Sequence, residues 1–174
     1  MHIARDDTGL RHAQTWHIPS RRVLIAWCSL ILILGVYTGQ AAMRKLPMKD
    51  LARKAGTIVL GTVIRQESAW DVDHTAIYTD VTLAVERVLA GTPAVVVTLR
   101  VAGGVVGNMG MRTSNDAVFR EGEQVIVFLD TTASPHSVVG LQQGKFAVQD
   151  NMVTGAGETC SLDEFLAAVR AAAR

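Results

Sequence analysis

The middle of the chain contains a stretch, residues 77–86, in which apolar and polar side chains alternate. The odd positions are mostly apolar, as in Ile77, Val81 and Leu83, and the even positions are mostly polar. A period of two is typical of a β-strand with one buried face, because successive side chains of a strand point to opposite faces. Residues 56–148 contain five apolar, β-branched segments in all, and glycine turns separate them. The chain is therefore expected to fold around a β-sheet.

The composition limits the classes of protein to which this chain can belong. The chain has 174 residues, of which 49 % are apolar, and this is enough to bury a real core in one domain. Its 17 Lys and Arg nearly balance its 16 Asp and Glu, and aromatic residues make up 5 % of it. No nucleic-acid partner is expected, because a basic groove with stacking aromatics would have to be built from Arg100, Arg112 and Arg120. The two cysteines, Cys28 and Cys160, predict no disulfide framework, and they leave the role of Cys160 open.

An apolar run near the N terminus predicts export. Residues 1–22 form a polar leader that ends in an arginine pair, and we expect this leader to be disordered. An uncharged apolar run follows over residues 23–36, and small residues lead from it to Ala41. A basic edge, a short apolar run and a Gly-x-Ala site are typical of a secretory signal peptide. In this interpretation residues 23–41 complete the signal peptide, which is cleaved near Ala41.

The alternative interpretation of the same segment is an uncleaved membrane anchor. Residues 23–43 carry no charge and are long enough to span a bilayer as a helix. Basic residues flank the run on both sides, so the positive-inside rule does not orient it. Both alternatives stay open, and both place the following domain outside the cytoplasm. The domain is then either periplasmic or secreted, or it is anchored in the cytoplasmic membrane by one N-terminal helix.

The remainder of the chain predicts a mainly β fold. Residues 42–55 contain a short helical pattern, residues 56–150 hold the strands, and residues 151–174 form a loop and a C-terminal amphipathic helix. Ser161 and Glu164 form a capping box at the start of that last helix. Five or six strands with glycine bends, between two helices, predict a small Greek-key barrel of the oligonucleotide/oligosaccharide-binding (OB) type.

Two strands carry more specific expectations. Gly61 lies in the middle of the first strand and predicts a bulge or a sharp bend, since a residue without a side chain lets a strand bend there. The strand over residues 124–130 is the most continuously apolar one. A run of this kind predicts a strand that is covered on both faces.

The glycine-rich segment over residues 102–111 is the most unusual part of the domain. Its glycines permit positive φ angles and the close approach of another backbone. Neither phosphate-binding pattern, Gly-x-x-x-x-Gly-Lys-Ser/Thr or Gly-x-Gly-x-x-Gly, occurs there, so phosphate binding is not predicted. With its methionines exposed, the segment is a candidate contact loop for a partner. The candidate contact residues are Gly103, Gly104, Gly107, Met109, Gly110, Met111 and Trp70.

The sequence does not assemble a catalytic or metal site. Asp71, Asp73 and His74 carry metal-ligating side chains, but no second cluster completes the coordination. A hydrolase would combine His74 and His136 with one of the two aspartates or with Ser137. No spacing among these residues implies a nucleophile, a base and an orienting group within reach of one another. We therefore predict a protein without enzymatic activity, metal or cofactor.

Residues 55–63, 77–91 and 122–129 carry a resemblance to a known family. In their order and pattern they resemble the barrel of the netrin-like and tissue-inhibitor-of-metalloproteinase superfamily, and the plan is similar to that of uncharacterised bacterial secreted proteins. The resemblance covers residues 48–150 and implies a barrel rather than an activity. In the animal inhibitors an N-terminal cysteine coordinates the zinc of the protease. Here the segment that directly follows Ala41 contains no cysteine. Inhibition by that route is therefore not implied.

These observations predict an extracytoplasmic, non-enzymatic binding or interaction module. A protein partner is expected, and the module would be an accessory to, or an inhibitor of, an envelope protease. The alternative is a membrane-tethered domain that binds a small ligand or a saccharide, and a hydrolase is the third hypothesis. If the signal is not cleaved, residues 23–43 would hold the protein in the membrane.

Overall fold

The fold is built on one large antiparallel sheet with a helix near each end of the described chain. The computed structural model describes residues 44–173. The predictions of a leader and of a signal peptide or membrane anchor fall on residues 1–43 and so lie outside the described residues. Within residues 44–173, the structure contains no helix of the length and apolar character that a membrane crossing requires.

The sheet and the helices follow one another in a simple order. The elements are helix α1 (Met48–Lys54), β1 (Thr57–Trp70), β2 (Ile77–Ala90), β3 (Val96–Ala102), β4 (Gly104–Val106), β5 (Met109–Met111), β6 (Gln124–Asp130), β7 (Ser137–Val138), a 3-10 helix (Leu141–Gly144), β8 (Lys145–Gln149), β9 (Met152–Gly155), β10 (Glu158–Ser161) and helix α2 (Leu162–Ala172). The large sheet has eight strands in the order β10-β9-β8-β6-β1-β2-β3, with β7 beside β6. Strands β4 and β5 form a separate hairpin.

The sheet is covered on both faces, because β1 and β6 supply side chains to two separate apolar cores. Ile58 and Phe128 belong to the core on which α1 and α2 pack. Val59 and Val127, their neighbours in sequence, belong to the second core, on the opposite face of the sheet. All residues from Val125 to Leu129 are fully buried. The prediction that residues 124–130 form a strand covered on both faces is confirmed.

The prediction of a mainly β fold with a short helix before it and an amphipathic helix after it is also confirmed. Helix α2 begins after Ser161, whose hydroxyl accepts a hydrogen bond from the Glu164 amide at 3.3 Å. Its apolar stripe packs into the first core through Phe165, Leu166 and Val169. The predicted irregularity at Gly61 is present too, since the register of β1 against β2 shifts between Leu60 and Gly61.

The prediction of a closed barrel of five or six strands is wrong. The large sheet is open, with β3 at one end and β10 at the other. The strand that would close it, β7, has two residues, so the connection to β3 is limited to an isolated parallel bridge between Leu99 and His136. A barrel needs a continuous ladder around its circumference. Strands β8, β9 and β10 extend the sheet outward instead.

Four short strands lie where loops are predicted: β4 and β5 within the predicted contact loop, and β9 and β10 after residue 150. Strands β9 and β10 form a hairpin that follows β8, within residues 151–174. Asp150 and Asn151, between β8 and β9, both have positive φ angles, of 51° and 62°. Ala156 and Gly157, between β9 and β10, have φ angles of 49° and 79°. Two-residue turns with positive φ at both positions match the twist of paired strands, so these dipeptides could have indicated the hairpins.

A buried glutamine fixes the segment that leads into α1. The side-chain carbonyl of Gln143 accepts a hydrogen bond from the Leu46 amide at 2.6 Å. Its side-chain amide donates to the carbonyl of Arg44 at 3.1 Å. The amide side chain therefore pairs with residues 44–46 as the backbone of a neighbouring strand would. Leu46 also packs against the first core.

We expect the substitution Gln143→Leu to lower the free energy of unfolding by about 1–3 kcal/mol, because two backbone groups in a partly buried position would lose their partner. Urea denaturation of the full chain measures this change, and hydrogen exchange of the Leu46 amide should become faster. The control is Gln149→Leu, at an exposed position of β8, with an expected change within about 0.5 kcal/mol. An unchanged exchange rate at Leu46 would contradict the proposed role of Gln143.

Candidate functional site

The glycine-rich segment folds into the β4–β5 hairpin. Gly104 pairs with Met111 and Val106 with Met109, so that Gly107 and Asn108 form the turn. The side chains of Val105 and Met109 are 67 % and 60 % exposed. The hairpin therefore presents apolar side chains to solvent, which marks interaction surfaces when the side chains form a contiguous patch.

Two hydroxyls on neighbouring strands hold the base of this hairpin. Thr79 donates a hydrogen bond to the carbonyl of Gly103 at 2.7 Å. A hydroxyl has a single proton, so the 2.9 Å contact between Thr79 and Ser68 uses the proton of Ser68. The Gly103 amide donates to the carbonyl of Ile77 at 2.7 Å. The base is thus fixed to β1 and β2, while the tip extends beyond them.

Gly104 is required at this base. Its φ angle is 142°, a conformation that residues with a side chain rarely adopt. A Cβ atom placed there would lie 2.4 Å from Ser68 Oγ and 2.4 Å from Thr79 Oγ1. The two hydroxyls that hold the hairpin therefore occupy the space that a side chain would need.

A cleft of about 480 Å³ lies beside the hairpin. Its volume is in the range of pockets that accept a small molecule or a few side chains. Val118 is 60 % exposed, whereas Phe119 is buried. The carboxylate of Asp116 accepts a hydrogen bond from the Thr113 hydroxyl at 2.7 Å. The apolar lining residues are Val101, Ala102, Val105, Met111, Ala117, Val118 and Phe119, and the polar ones are Gln66, Thr79, Arg112, Thr113 and Asp116.

An ion pair with little exposure to solvent fixes the segment that follows Phe119, the last residue of the cleft lining in sequence. The Lys145 ammonium donates to the Glu123 carboxylate, and the two side chains are only 13 % and 16 % exposed. The second carboxylate oxygen of Glu123 accepts from the Arg120 amide at 3.1 Å. The ammonium also lies 5.4 Å from the centroid of the Phe119 ring, within the range of a cation–π interaction. Strand β8 is in this way linked to the segment that carries Phe119.

The structure brings six of the seven predicted contact residues together in and next to the hairpin, and the seventh, Trp70, is not part of the hairpin or of the cleft lining. Gly103, Gly104, Gly110 and Met111 line the cleft. Trp70 ends β1, where it pairs with Ile77. The centroid of its ring is 6.1 Å from that of His74, in the loop between β1 and β2. The candidate contact surface is therefore the hairpin together with the cleft.

The residues considered for a metal or hydrolase site fall into two groups, one in the loop between β1 and β2 and one at the start of β7. The Asp71 carboxylate accepts hydrogen bonds from the amide and the hydroxyl of Thr75, at 2.6 Å and 2.7 Å. The bond from the hydroxyl is the main reason that the pKa of Asp71 is lowered. Asp73 and His74 lie in the same exposed loop as Asp71. His136 lines a second cavity of the domain, and Ser137 follows it in sequence. Within residues 44–173, no group of three or more His, Cys, Asp or Glu side chains could hold a metal ion.

The three arginines of the sequence analysis are also dispersed. Arg100 forms a bidentate pair with Asp80, at 2.6 Å and 2.8 Å, and these hydrogen bonds raise the pKa of its guanidinium. Arg112 lines the cleft, and Arg120 is exposed near its end. A pair that neutralises Arg100 leaves less positive charge for phosphates.

Cys160 lies on β10, directly before the N-cap residue of α2. It is partly buried, and burial, with the neighbouring carboxylates of Glu164 and Glu158, raises the pKa of its thiol. The thiolate is the nucleophilic form of cysteine. A thiol with a raised pKa stays protonated at neutral pH, so Cys160 is a poor nucleophile.

No protein-family model, curated protein or solved structure matches this chain. The resemblance to the netrin-like superfamily therefore stays a prediction from the sequence. Function has to be inferred from the hairpin, the cavities and their chemistry.

Proposed function

We propose that the domain is a non-catalytic module that binds another protein through the β4–β5 hairpin and the cleft beside it. The observation that carries this proposal is the exposure of Val105, Met109 and Val118 around a largely apolar cleft. Apolar side chains that share one surface in water can be covered by a partner at a gain in free energy. A folded hairpin, tied to β1 and β2, presents them without a further cost of ordering the backbone.

The chemistry of the surface describes the segment that fits it. Methionine side chains such as those of Met109 and Met111 are flexible and polarizable, so they adapt to apolar groups of different shapes. The cleft has room for a few apolar side chains. Arg112 and Asp116 line it as polar groups, which would orient the bound segment. We therefore propose that the partner inserts an apolar side chain next to a polar one.

The partner class follows from the sequence predictions. Residues 23–43 predict a signal peptide or an anchor, so the partner is proposed to lie outside the cytoplasm. The partner class that we propose is an envelope protease, toward which the module would act as an accessory or an inhibitor.

Site-specific photo-cross-linking tests this proposal. A photoreactive amino acid replaces Met109 in the full-length chain, which carries a C-terminal tag and is expressed in its natural host. The expected result is one dominant cross-linked protein in the extracytoplasmic or membrane fraction. Purified separately, that protein should bind the chain one to one, and Met109→Ser should weaken the binding about tenfold or more, since a buried methionine side chain contributes about 1.5–3 kcal/mol.

The matched control uses Met152, an exposed methionine on β9 of the large sheet, outside the hairpin and the cleft. The same photoreactive residue at this position should not capture the partner, and Met152→Ser should leave the affinity unchanged. Equal capture from both positions, or a purified partner that binds the Met109→Ser variant as well as the unchanged chain, would contradict the proposal. If the partner is a protease, its activity with and without the chain distinguishes an inhibitor from an accessory protein.

A further inference from the structure

A second cavity, of about 500 Å³, opens between the turn after β2 and the segment before β7. It shares no lining residue with the cleft beside the hairpin. Its lining contains no Asp, Glu, Lys or Arg, although the neighbouring β-strands carry such residues. The polar groups that it does contain are five hydroxyls and one imidazole, from Thr57, Thr92, Thr98, Thr131, Ser134 and His136.

These hydroxyls are available to a ligand. Elsewhere in the domain the hydroxyls of Thr79, Thr113 and Thr132 donate to protein oxygen atoms. The five hydroxyls that line this cavity form no side-chain hydrogen bond to another residue among residues 44–173, and none of them is a fully buried atom without a partner. Thr57 is only 6 % exposed as a residue, and no fully buried side-chain N or O atom among residues 44–173 lacks a partner, so its hydroxyl reaches solvent at the cavity wall. A hydroxyl in such a position needs a partner from water or from a ligand.

The hydroxyls of Thr57 and Thr131 each lie where a side chain on a neighbouring glycine would be. A Cβ atom on Gly91 would be 2.5 Å from Thr57 Oγ1. A Cβ atom on Gly56 would be 2.1 Å from Thr131 Oγ1. Any side chain at either glycine would displace a hydroxyl from the wall, so the polar character of the wall depends on both of them.

His136 adds an oriented acceptor to the lining. Its Nδ1 atom is 3.0 Å from the carbonyl oxygen of Ala133. A carbonyl oxygen only accepts hydrogen bonds, so Nδ1 carries the proton, and Nε2 is the acceptor of the neutral ring. The backbone of His136 is fixed as well, since its carbonyl accepts from the Arg100 amide at 2.7 Å.

We propose that this second cavity binds a neutral, polyhydroxylated ligand, an oligosaccharide. A charged ligand would lose its hydration without gaining an ion pair, because no charged side chain lines the wall. An apolar ligand would leave the hydroxyls without partners. A sugar hydroxyl both donates and accepts, as the rotatable hydroxyls of Thr and Ser do. The apolar faces of a sugar ring can rest on Pro93 and Pro135, which also line the cavity.

Saturation-transfer NMR on the full chain, purified in a detergent without a sugar headgroup, tests this proposal. The probes are cellotetraose, maltotetraose and the tetramer of N-acetylglucosamine, with tetragalacturonic acid as the charged comparison. We expect transfer to at least one neutral sugar, with a Kd of about 0.1–10 mM, because the contacts are neutral hydrogen bonds. The anionic sugar should bind at least about tenfold more weakly.

Isosteric variants locate the site. Thr57→Val and Thr98→Val keep the shape of the wall and remove one hydroxyl each, and each should weaken sugar binding by about three- to tenfold. Thr159→Val, which removes an exposed hydroxyl on β10, is the matched control and should have no effect. Circular dichroism confirms that each variant is folded, and the exposed position of Thr98 makes its variant the safer one.

Two outcomes would overturn the proposal. One is the absence of transfer to all three neutral sugars. The other is binding that Thr57→Val and Thr98→Val leave unchanged. The Met109→Ser variant should bind the sugars normally, so failure of this proposal and failure of the proposed protein-binding function can be told apart.

Discussion

Replacing Phe128 with alanine is expected to lower the free energy of unfolding by about 3–5 kcal/mol. Phe128 is fully buried on β6, the strand that contributes to both cores. Its ring centroid is 5.7 Å from that of Phe146, which lies 4.7 Å from that of Phe165 on α2. The three rings connect the sheet to the C-terminal helix. Removal of the Phe128 ring would therefore leave a cavity between the sheet and α2.

A loss of this size is a large part of the 5–15 kcal/mol or so that a domain has in total. Urea denaturation followed by far-UV circular dichroism measures it. Val118→Ala is the control, because Val118 is exposed at the cleft, and its expected effect is within about 0.5 kcal/mol. A decrease of less than about 1 kcal/mol for Phe128→Ala would contradict the packing of α2 on the sheet through these rings.

Replacing Lys145 with methionine is expected to cost roughly 2–3 kcal/mol, because the Glu123 carboxylate would stay in a position of low exposure without its cation. Methionine keeps most of the volume of the lysine stem, so the effect isolates the charge. The Phe119 ring would lose its cation at the same time, and the segment next to the cleft should become more mobile. Thermal unfolding and hydrogen exchange of residues 117–123 measure both effects.

The double variant Glu123→Leu/Lys145→Met separates an unpaired charge from a lost contact. It should be more stable than Lys145→Met alone, because no charge is left without a partner. The exposed pair between Arg65 and Glu67 provides the comparison, and Arg65→Met should change the stability by less than about 1 kcal/mol. A double variant less stable than the single one would show that the volume and contacts of Glu123 matter more than its charge.

The elements that the sequence predicts best are those whose determining interactions are local. Alternation over residues 77–86 predicted a strand, and β2 runs from Ile77 to Ala90. Ser161 and Glu164 predicted the start of α2, and the Ser161 hydroxyl does accept from the Glu164 amide. Periodicity and capping depend on the geometry of a few consecutive residues, so they can be read without knowledge of the fold. The turns at Asp150-Asn151 and Ala156-Gly157 are also local, although the prediction places a loop there.

The candidate site was predictable in part, for the same reason. The glycines and methionines of the hairpin lie within nine residues of sequence, and they predict a contact loop. Ser68 and Thr79, which hold its base, were not predicted, because Thr79 is 24 residues from its partner Gly103. Polar residues such as these occur in most of the strands, and only the register of β1 against β2 brings the two hydroxyls together. The hydroxyl-lined cavity likewise combines residues from the start of β1, β3 and two loops.

By itself, the sequence determined that this domain is mainly β, where most of its strands run and that helices precede and follow them, because side-chain periodicity is a local property of the chain. Only the tertiary structure decided that the sheet stays open. Closure depends on whether distant backbones form a continuous ladder, and β7 is too short to supply one. The tertiary structure also decided where the cleft and the hydroxyl-lined cavity lie. Each is the space left between segments that meet only when the chain has folded.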